Sequence, residues 1–157
     1  MRNNKGFSLV ELIIVIAIMA ILIGVMAPQL IKYIEKTNVS SDTQLCDSVK
    51  TAVTTAMMDP AVINAATPGI PADNTRTEVS SLTTANAFNE AVAETLGYSI
   101  STIGQIDNEI KSAHTGDGIV FKIVGSNQVH VWIHNSDASG KKTTTYGDNA
   151  LKVIFVD

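Results

Sequence analysis

The sequence begins with a long uncharged apolar stretch that has a carboxylate at its entrance. No charged residue occurs from Leu12 to Ile31, which is long enough for a helix to cross the hydrocarbon core of a bilayer. Glu11 directly precedes this stretch. An acidic residue costs about 2.5–3.5 kcal/mol at the centre of a membrane helix and less near its end. A chain that needed only an anchor would not keep such a residue, so we interpret Glu11 as functional.

The residues around the apolar stretch indicate its orientation. Arg2 and Lys5 precede it without any acidic neighbour, so we expect the N-terminus to stay in the cytoplasm and the rest to be exported. A secretory signal peptide fits poorly, because the stretch is longer than a usual signal core and Glu11 interrupts it. The small-residue site at Val25-Met26-Ala27 is also followed directly by Pro28.

A cut between Gly6 and Phe7 would give Glu11 a partner. The new chain would begin with an α-amine four residues before the carboxylate. A buried amine and a buried carboxylate satisfy each other if neighbouring subunits are staggered along an assembly axis. The carboxylate would then set the register of an assembly.

This combination resembles the class III signal of type IV pilins and the related pseudopilins. The matching residues are the basic leader Met1–Gly6 and the run Phe7-Ser8-Leu9-Val10-Glu11-Leu12, with Gly24 and Pro28 matching further along. The resemblance covers roughly the first third of the chain. The alternative for these residues is a plain signal-anchor helix in which Glu11 snorkels to the membrane surface.

The resemblance implies a role for each of three residues. Gly6 would precede the scissile bond of a prepilin peptidase, and Phe7 would become the N-methylated first residue of the mature subunit. Glu11 would pair with the α-amine of Phe7 in an adjacent subunit.

Periodicity predicts that the helix continues past the membrane segment. Charged residues are interspersed with apolar residues that recur at helical spacing. These apolar residues are Leu30, Ile34, Leu45, Val49, Val53 and Ala56. We therefore predict one helix from Phe7 to about Met57 with a buried stripe in its second half. Pro28 should kink this helix, and Gly24 weakens it nearby, so the stretch either unwinds when subunits pack or keeps a static kink.

The remaining sequence predicts a small α+β domain. Met58 to Asn74 has the breakers of a loop, and a second helix follows with Ser81 as N-cap and Gly97 as the residue after its end. Period-two alternation predicts a hairpin of residues 119–124 and 129–134 around Gly125-Ser126-Asn127. A further strand is predicted at Leu151–Phe155, with a short extra strand at Thr143–Tyr146.

The predicted fold is thus α+β: a long N-terminal helix packed on a small antiparallel sheet, as in pilins. The predicted organisation is a leader of residues 1–6, a transmembrane and assembly half of the helix at 7–31, and a globular domain at 32–157 that includes the amphipathic half of the helix.

Charge and cysteine content limit the partners. The full chain has a net charge of −4, and loss of Arg2 and Lys5 with the leader makes it −6, which argues against a nucleic-acid surface. Cys46 is the single cysteine, so no intrachain disulfide can form. Many Gram-negative type IV pilins have a disulfide-bounded C-terminal loop, and this sequence departs from that pattern.

Candidate chemistry is sparse. His130 and His134 share a strand face but lie about 13 Å apart at 3.3 Å per residue, too far for one metal. We interpret this face, with Trp132, as a partly exposed sheet surface, and Cys46 as an inert small residue. No nucleophile elbow, phosphate loop or calcium-loop pattern is present, so neither an enzyme activity nor a cofactor is predicted.

The predicted function is a structural pilin subunit that is cleaved, held in the cytoplasmic membrane, and polymerised into an extracellular fibre for adhesion, surface motility or biofilm formation. Its expected partners are copies of itself, a prepilin peptidase, the pilus assembly machinery and the membrane, with no nucleic acid. Two alternatives are a pseudopilin of a type II secretion or DNA-uptake machine and a membrane-tethered enzyme or binding protein.

Overall fold

A computed structural model of the chain describes residues 8–111, 118–125, 128–136, 142–143 and 155–156. The first element is helix α1, Leu9–Met58, which agrees with the predicted long helix. The chain divides into two compact units, Met1–Thr37 and Asn38–Asp157, and α1 contributes residues to both. Apolar and alanine residues dominate the helix, and its two potential breakers, Gly24 and Pro28, do not interrupt the helical backbone.

In the first unit, the part of α1 from Leu9 to Ile34 exposes its apolar side chains on every side. The predicted buried stripe is wrong at its first two positions, because Leu30 is 61 % exposed and Ile34 is 53 % exposed. No other described element belongs to this unit, so nothing else in it covers these side chains.

In the second unit, α1 buries a narrow face. Its buried apolar residues recur every three or four positions, as expected for one side of a helix: Cys46, Val49, Ala52, Val53 and Ala56. Leu45 packs against this core while keeping part of its surface in solvent. The amphipathic pattern predicted for this part of the helix is therefore confirmed.

The segment after α1 contains a short helix that the sequence analysis missed. Helix α2, Pro60–Ile63, lies inside the predicted loop. The side chain of Asp59 accepts a hydrogen bond from Ala61 N at 2.7 Å, and proline takes the first helical position. Asp followed by Pro is a helix-start signal as well as a turn signal, and here the helix forms.

The next helix, α3, spans Ala87–Thr95, and its predicted N-cap was wrong. Asn86 is the N-cap, and its Oδ1 accepts from Asn89 N at 2.8 Å. Ser81 instead ends a 3₁₀ turn, Val79–Ser81. Gly97 follows the helix with a positive φ of 80°, as predicted. Tyr98 N and Gly97 N donate to Ala93 O and Glu94 O, which is the Schellman pattern of a helix end.

The predicted hairpin is confirmed. Strand β2, Gly118–Val124, pairs antiparallel with β3, Gln128–Ser136, so that Phe121 lies opposite Val131. Strand β1, Arg76–Glu78, was not predicted and pairs antiparallel with β2. Two short strands, β4 at Lys142–Thr143 and β5 at Phe155–Val156, pair with β3. These overlap the predicted extra strand and third strand, whose other residues lie outside the described ranges.

One buried cluster holds the second unit together. It joins the inner face of α1 to α3, to a second 3₁₀ helix at Ile103–Glu109, and to alternate residues of β2 and β3. The rings of Phe88 and Phe121 meet within it, with centroids 6.3 Å apart. The class is therefore α+β, a long N-terminal helix with a small antiparallel sheet, as the sequence predicted.

Candidate assembly surface at the start of the long helix

The carboxylate of Glu11 closes the first turn of α1. Ser8 directly precedes the helix, and its backbone N–H donates to Glu11 Oε2 at 2.9 Å. Leu12 N donates back to Ser8 O at 3.3 Å. A glutamate at the third helical position that accepts from the N-cap N–H is one half of a capping box. The positive end of the helix dipole also favours a negative charge here.

This geometry leaves Glu11 able to accept a second donor. An ionised carboxylate offers about four lone-pair directions on two oxygens, and the contact to Ser8 uses one of them. Gly6 and Phe7 lie outside the described residues, so the scissile bond and the pairing of Glu11 with a Phe7 amine stay predictions.

The apolar surface beyond Glu11 is continuous and uncovered. None of the most apolar part of α1 is buried within the chain. The helix is thus long and apolar enough to span a membrane, a test that a signal sequence near the N-terminus also passes. Glu11 is the one acidic residue in the first turn of this surface.

Gly24 and Pro28 lie within this surface. A β-carbon added at Gly24 would meet no other atom within 4 Å, so packing inside the chain does not require glycine there. Pro28 removes one N–H donor from the helical ladder. Unwinding or kinking at these positions stays a prediction.

Cys46 fits the interpretation as an inert residue. It is fully buried and has no cysteine partner. Burial raises the pKa of its thiol from 9.0 to about 12, and the carboxylates of Asp42 and Asp47 add to the effect. The thiol therefore stays protonated and unreactive at physiological pH.

The second unit contains a buried carboxylate that sequence reasoning missed. Asp42 lies between the apolar positions of the predicted stripe, where charged residues were expected to face solvent, yet it is fully buried. Its Oδ1 accepts from Lys111 N at 2.8 Å, which ties the segment after the second 3₁₀ helix to α1. Asp42 precedes Cys46 by four residues and lies on the same helical face, but the predicted stripe ran through Leu45, so spacing alone did not place Asp42 in the core.

The sheet surface around His130 is partly exposed, as predicted, and the side chain of His134 lies outside the described part of the chain. His130 and Trp132 are both partly exposed on β3, and the Arg76 guanidinium lies 5.8 Å from the centroid of the Trp132 ring system. Val120 on the same face is fully buried, which simple alternation did not predict. Within the described part of the chain, no group of three or more His, Cys, Asp or Glu residues is placed to hold a metal ion.

The long apolar helix, the small α+β unit and the carboxylate at the helix start agree with the arrangement that the resemblance to pilins implies. Comparison with known families places the prokaryotic N-terminal methylation motif at residues 1–27. This motif covers the leader, Phe7, Glu11 and Gly24.

Three relatives found by comparison are fimbrial proteins. The chain is 44 % identical over 55 residues to a fimbrial protein of Moraxella nonliquefaciens, covering 35 % of this chain and 36 % of the relative. It is 36 % identical over 69 residues to a Pseudomonas aeruginosa fimbrial protein, covering 43 % and 45 %. It is 39 % identical over 56 residues to the type IV major fimbrial protein FimA of Dichelobacter nodosus, covering 36 % of each chain.

The motif at residues 1–27 and these relatives confirm the resemblance to type IV pilins. Each match spans less than half the length of the relative. No solved structure matches the chain.

Proposed function

We propose that this chain is the subunit of a type IV pilus. Its precursor is held in the cytoplasmic membrane by residues 7–31, with the N-terminus inside. A prepilin peptidase cuts between Gly6 and Phe7, Phe7 is N-methylated, and assembly machinery polymerises the subunit into an extracellular fibre. The methylation motif and the related fimbrial proteins support this proposal.

The observation that carries the proposal is the uncovered apolar part of α1. Its large side chains are about half exposed or more from Leu9 to Ile34. Lipid tails are as apolar as these side chains, so a helix can leave the bilayer for a bundle of identical helices at little hydrophobic cost. Packing between helices then selects the arrangement, and head-to-tail contacts that do not close produce a filament.

Glu11 supplies register in this proposal. The Ser8–Glu11 contact holds the carboxylate at the helix start in the single subunit. In the fibre, the same carboxylate accepts a hydrogen bond from the methylated, positively charged α-amine of Phe7 in an adjacent subunit. A neighbour shifted by one turn would leave both charges buried without partners, which is strongly unfavourable.

The role is structural rather than enzymatic. The sequence contains no recognisable catalytic motif, and the net charge of −6 after processing disfavours a nucleic-acid surface. Adhesion, surface motility and biofilm formation are the activities that we assign to the fibre.

Fibre purification tests the proposal. Filaments sheared from cells that express the chain should contain it as a subunit that begins at Phe7 and carries one added methyl group, as measured by intact mass. Electron microscopy should show these filaments disappear when the gene is deleted and return on complementation. A chain that is processed but found only in membranes, with no filament at native expression, would favour a pseudopilin and contradict the proposal.

A further inference from the structure

A groove runs along the solvent side of α1 in the second unit. Two adjoining cavities of about 490 Å³ each lie between this helix and the segment from Tyr98 to Lys111. Leu45, Ser48 and Glu109 line both cavities, so the two form one continuous depression.

The groove combines an apolar floor with acidic edges. Leu45 and Leu96, which are partly exposed, contribute the apolar surface, and the fully buried Ile106 completes the apolar lining. Asp47 and Glu109 are both exposed and line the same cavity, whereas Lys111, the one basic side chain among the described residues of the lining, lines only the other. One end of the groove therefore attracts a basic and apolar partner.

A tyrosine fixes one of these carboxylates. The Tyr98 hydroxyl donates a hydrogen bond to Glu109 Oε1. This bond, followed by partial burial and the charge of Glu109, raises the pKa of Tyr98 to about 12. Tyr98 thus stays a neutral donor, and its hydrogen bond holds the Glu109 side chain at the edge of the groove.

The same chain carries a surface of matching chemistry. Gln29, Lys32, Tyr33 and Lys36 are spaced i, i+3, i+4 and i+7, so they form one helical face, with Glu35 on the neighbouring face. All are exposed, and Tyr33 is 68 % exposed. This basic face lies at and just beyond the end of the uncharged stretch at Ile31, where we expect the chain to meet water.

We propose that the groove of one subunit binds the basic face of a second copy in the fibre. In this contact, Lys32 and Lys36 lie against Asp47 and Glu109, and the ring of Tyr33 covers the apolar floor. The inference rests on the proposed function, because it names the surfaces through which the subunits meet outside the membrane. A contact of opposite charges also offsets the repulsion between subunits that each carry −6.

Cysteine cross-linking between two tagged full-length chains tests the contact directly. One chain carries Tyr33→Cys and the other Ser48→Cys, and both keep the buried, protonated Cys46. Mild oxidation of sheared fibres should give a disulfide-linked pair that contains both tags, since a disulfide requires β-carbons about 3.5–4.5 Å apart. The matched control replaces Ser48→Cys with Thr83→Cys, an exposed position outside the groove, and should give no such pair.

Charge exchange tests the chemistry of the contact. Asp47→Lys and Lys36→Glu should each lower the ratio of sheared fibre to membrane-bound subunit several-fold, and the double variant should recover more than half of the wild-type ratio. Glu90→Lys changes an exposed carboxylate of α3 outside the groove, and it should leave the ratio unchanged.

The outcomes separate this inference from the proposed function. If wild-type cells make fibres but the Tyr33–Ser48 pair does not cross-link and the double variant does not recover, the groove contact is wrong and the pilus subunit stands. Cross-linking of Ser48→Cys to a different protein in those fibres would also overturn the contact. If wild-type cells make no fibre containing this chain, the proposed function itself fails.

Discussion

Gly6 is predicted to stand directly before the scissile bond, where the peptide backbone must approach a peptidase closely. Glycine permits this approach because it has no β-carbon. We expect Gly6→Val to leave the leader attached, with no mature subunit detected. Intact-mass measurement of membrane-extracted protein checks this, and a mutant chain that has lost residues 1–6 would refute it.

Glu11 is expected to affect assembly without affecting insertion. Glu11→Ala should insert more favourably, because a costly group is gone, and should still be cleaved because Gly6 and Phe7 are unchanged. Polymerisation should fail, since removal of one member of a buried pair typically costs about 3–5 kcal/mol for each subunit added. Glu11→Gln should be intermediate, because it keeps an acceptor without charge.

The ratio of sheared fibre to membrane-bound subunit at equal expression measures the effect at Glu11. The structure adds a control, because Glu11 also accepts from Ser8 N. Ser8→Ala keeps that backbone donor and the carboxylate, so it should be cleaved and should polymerise. Wild-type fibre yield from Glu11→Ala alone would show that the carboxylate has no part in register.

The buried thiol of Cys46 should make the free energy of unfolding fall at high pH. Its thiol ionises near 9.0 in the unfolded chain but only near about 12 in the folded chain. The unfolded state therefore loses this proton first, and the free energy of unfolding should fall as the pH rises from about 9 to about 12.

Comparison with Cys46→Ala isolates this contribution, because the lysines titrate in both chains. The variant should be less stable by about 1 kcal/mol at neutral pH, similar to the loss of one buried methyl group. Its urea midpoint should then decline less steeply above pH 9 than that of the wild-type chain. Parallel declines would contradict the assigned pKa.

At the scale of elements, α3 offers a test of its corrected start. Asn86 caps the helix through Asn89 N, whereas Ser81 only bonds to Glu78 O in the preceding turn. Asn86→Ala should lower the free energy of unfolding by about 1 kcal/mol, within the usual range of 0.5–2 kcal/mol for an N-cap. Ser81→Ala should cost clearly less in the same urea titration, and equal losses would restore Ser81 as a candidate cap.

The position of Asn86 depends on a contact that a sequence pattern does not show. Gly69 has a positive φ of 71°, and a β-carbon there would lie 2.2 Å from Asn86 Cγ. Phe88 N also donates to Pro68 O at 2.9 Å. The loop between α2 and α3 therefore fixes where α3 begins, which is why local capping signals alone selected the wrong residue.

Sequence periodicity correctly predicted those helices and strands whose own residues follow a clear helical or alternating pattern. The hairpin was predicted because β2 and β3 alternate and a glycine turn joins them. Strand β1 has three residues and no such pattern, and it is a strand because its backbone pairs with β2. Short elements of this kind depend on their neighbours more than on their own residues.

At the scale of the whole molecule, the second unit should be separable from the apolar part of α1. A chain that begins at Lys36 should be soluble and monomeric, since it lacks the exposed apolar surface and most of the basic face of Gln29, Lys32 and Tyr33. Size-exclusion chromatography with light scattering checks the mass. A reductant should leave its melting temperature unchanged, because Cys46 has no intrachain partner. Precipitation or a clear downward shift with reductant would contradict this description.

The sequence by itself determined the features of the long helix that depend only on its own residues. Glu11 at the edge of an uncharged stretch, the basic leader, and the recurrence of Val49, Val53 and Ala56 each follow from residue type and helical period. For the same reason, the N-terminal motif was recognisable without any tertiary information.

Only the tertiary structure decided what residues far apart in the chain do together. It buried Asp42 against the backbone of Lys111, placed Arg76 on Trp132, and formed the acidic groove from Asp47 and Glu109. Each of these arrangements joins segments more than 50 residues apart. The burial, pairing and charge of such residues depend on which surfaces meet, and a local pattern of residue types does not contain that information.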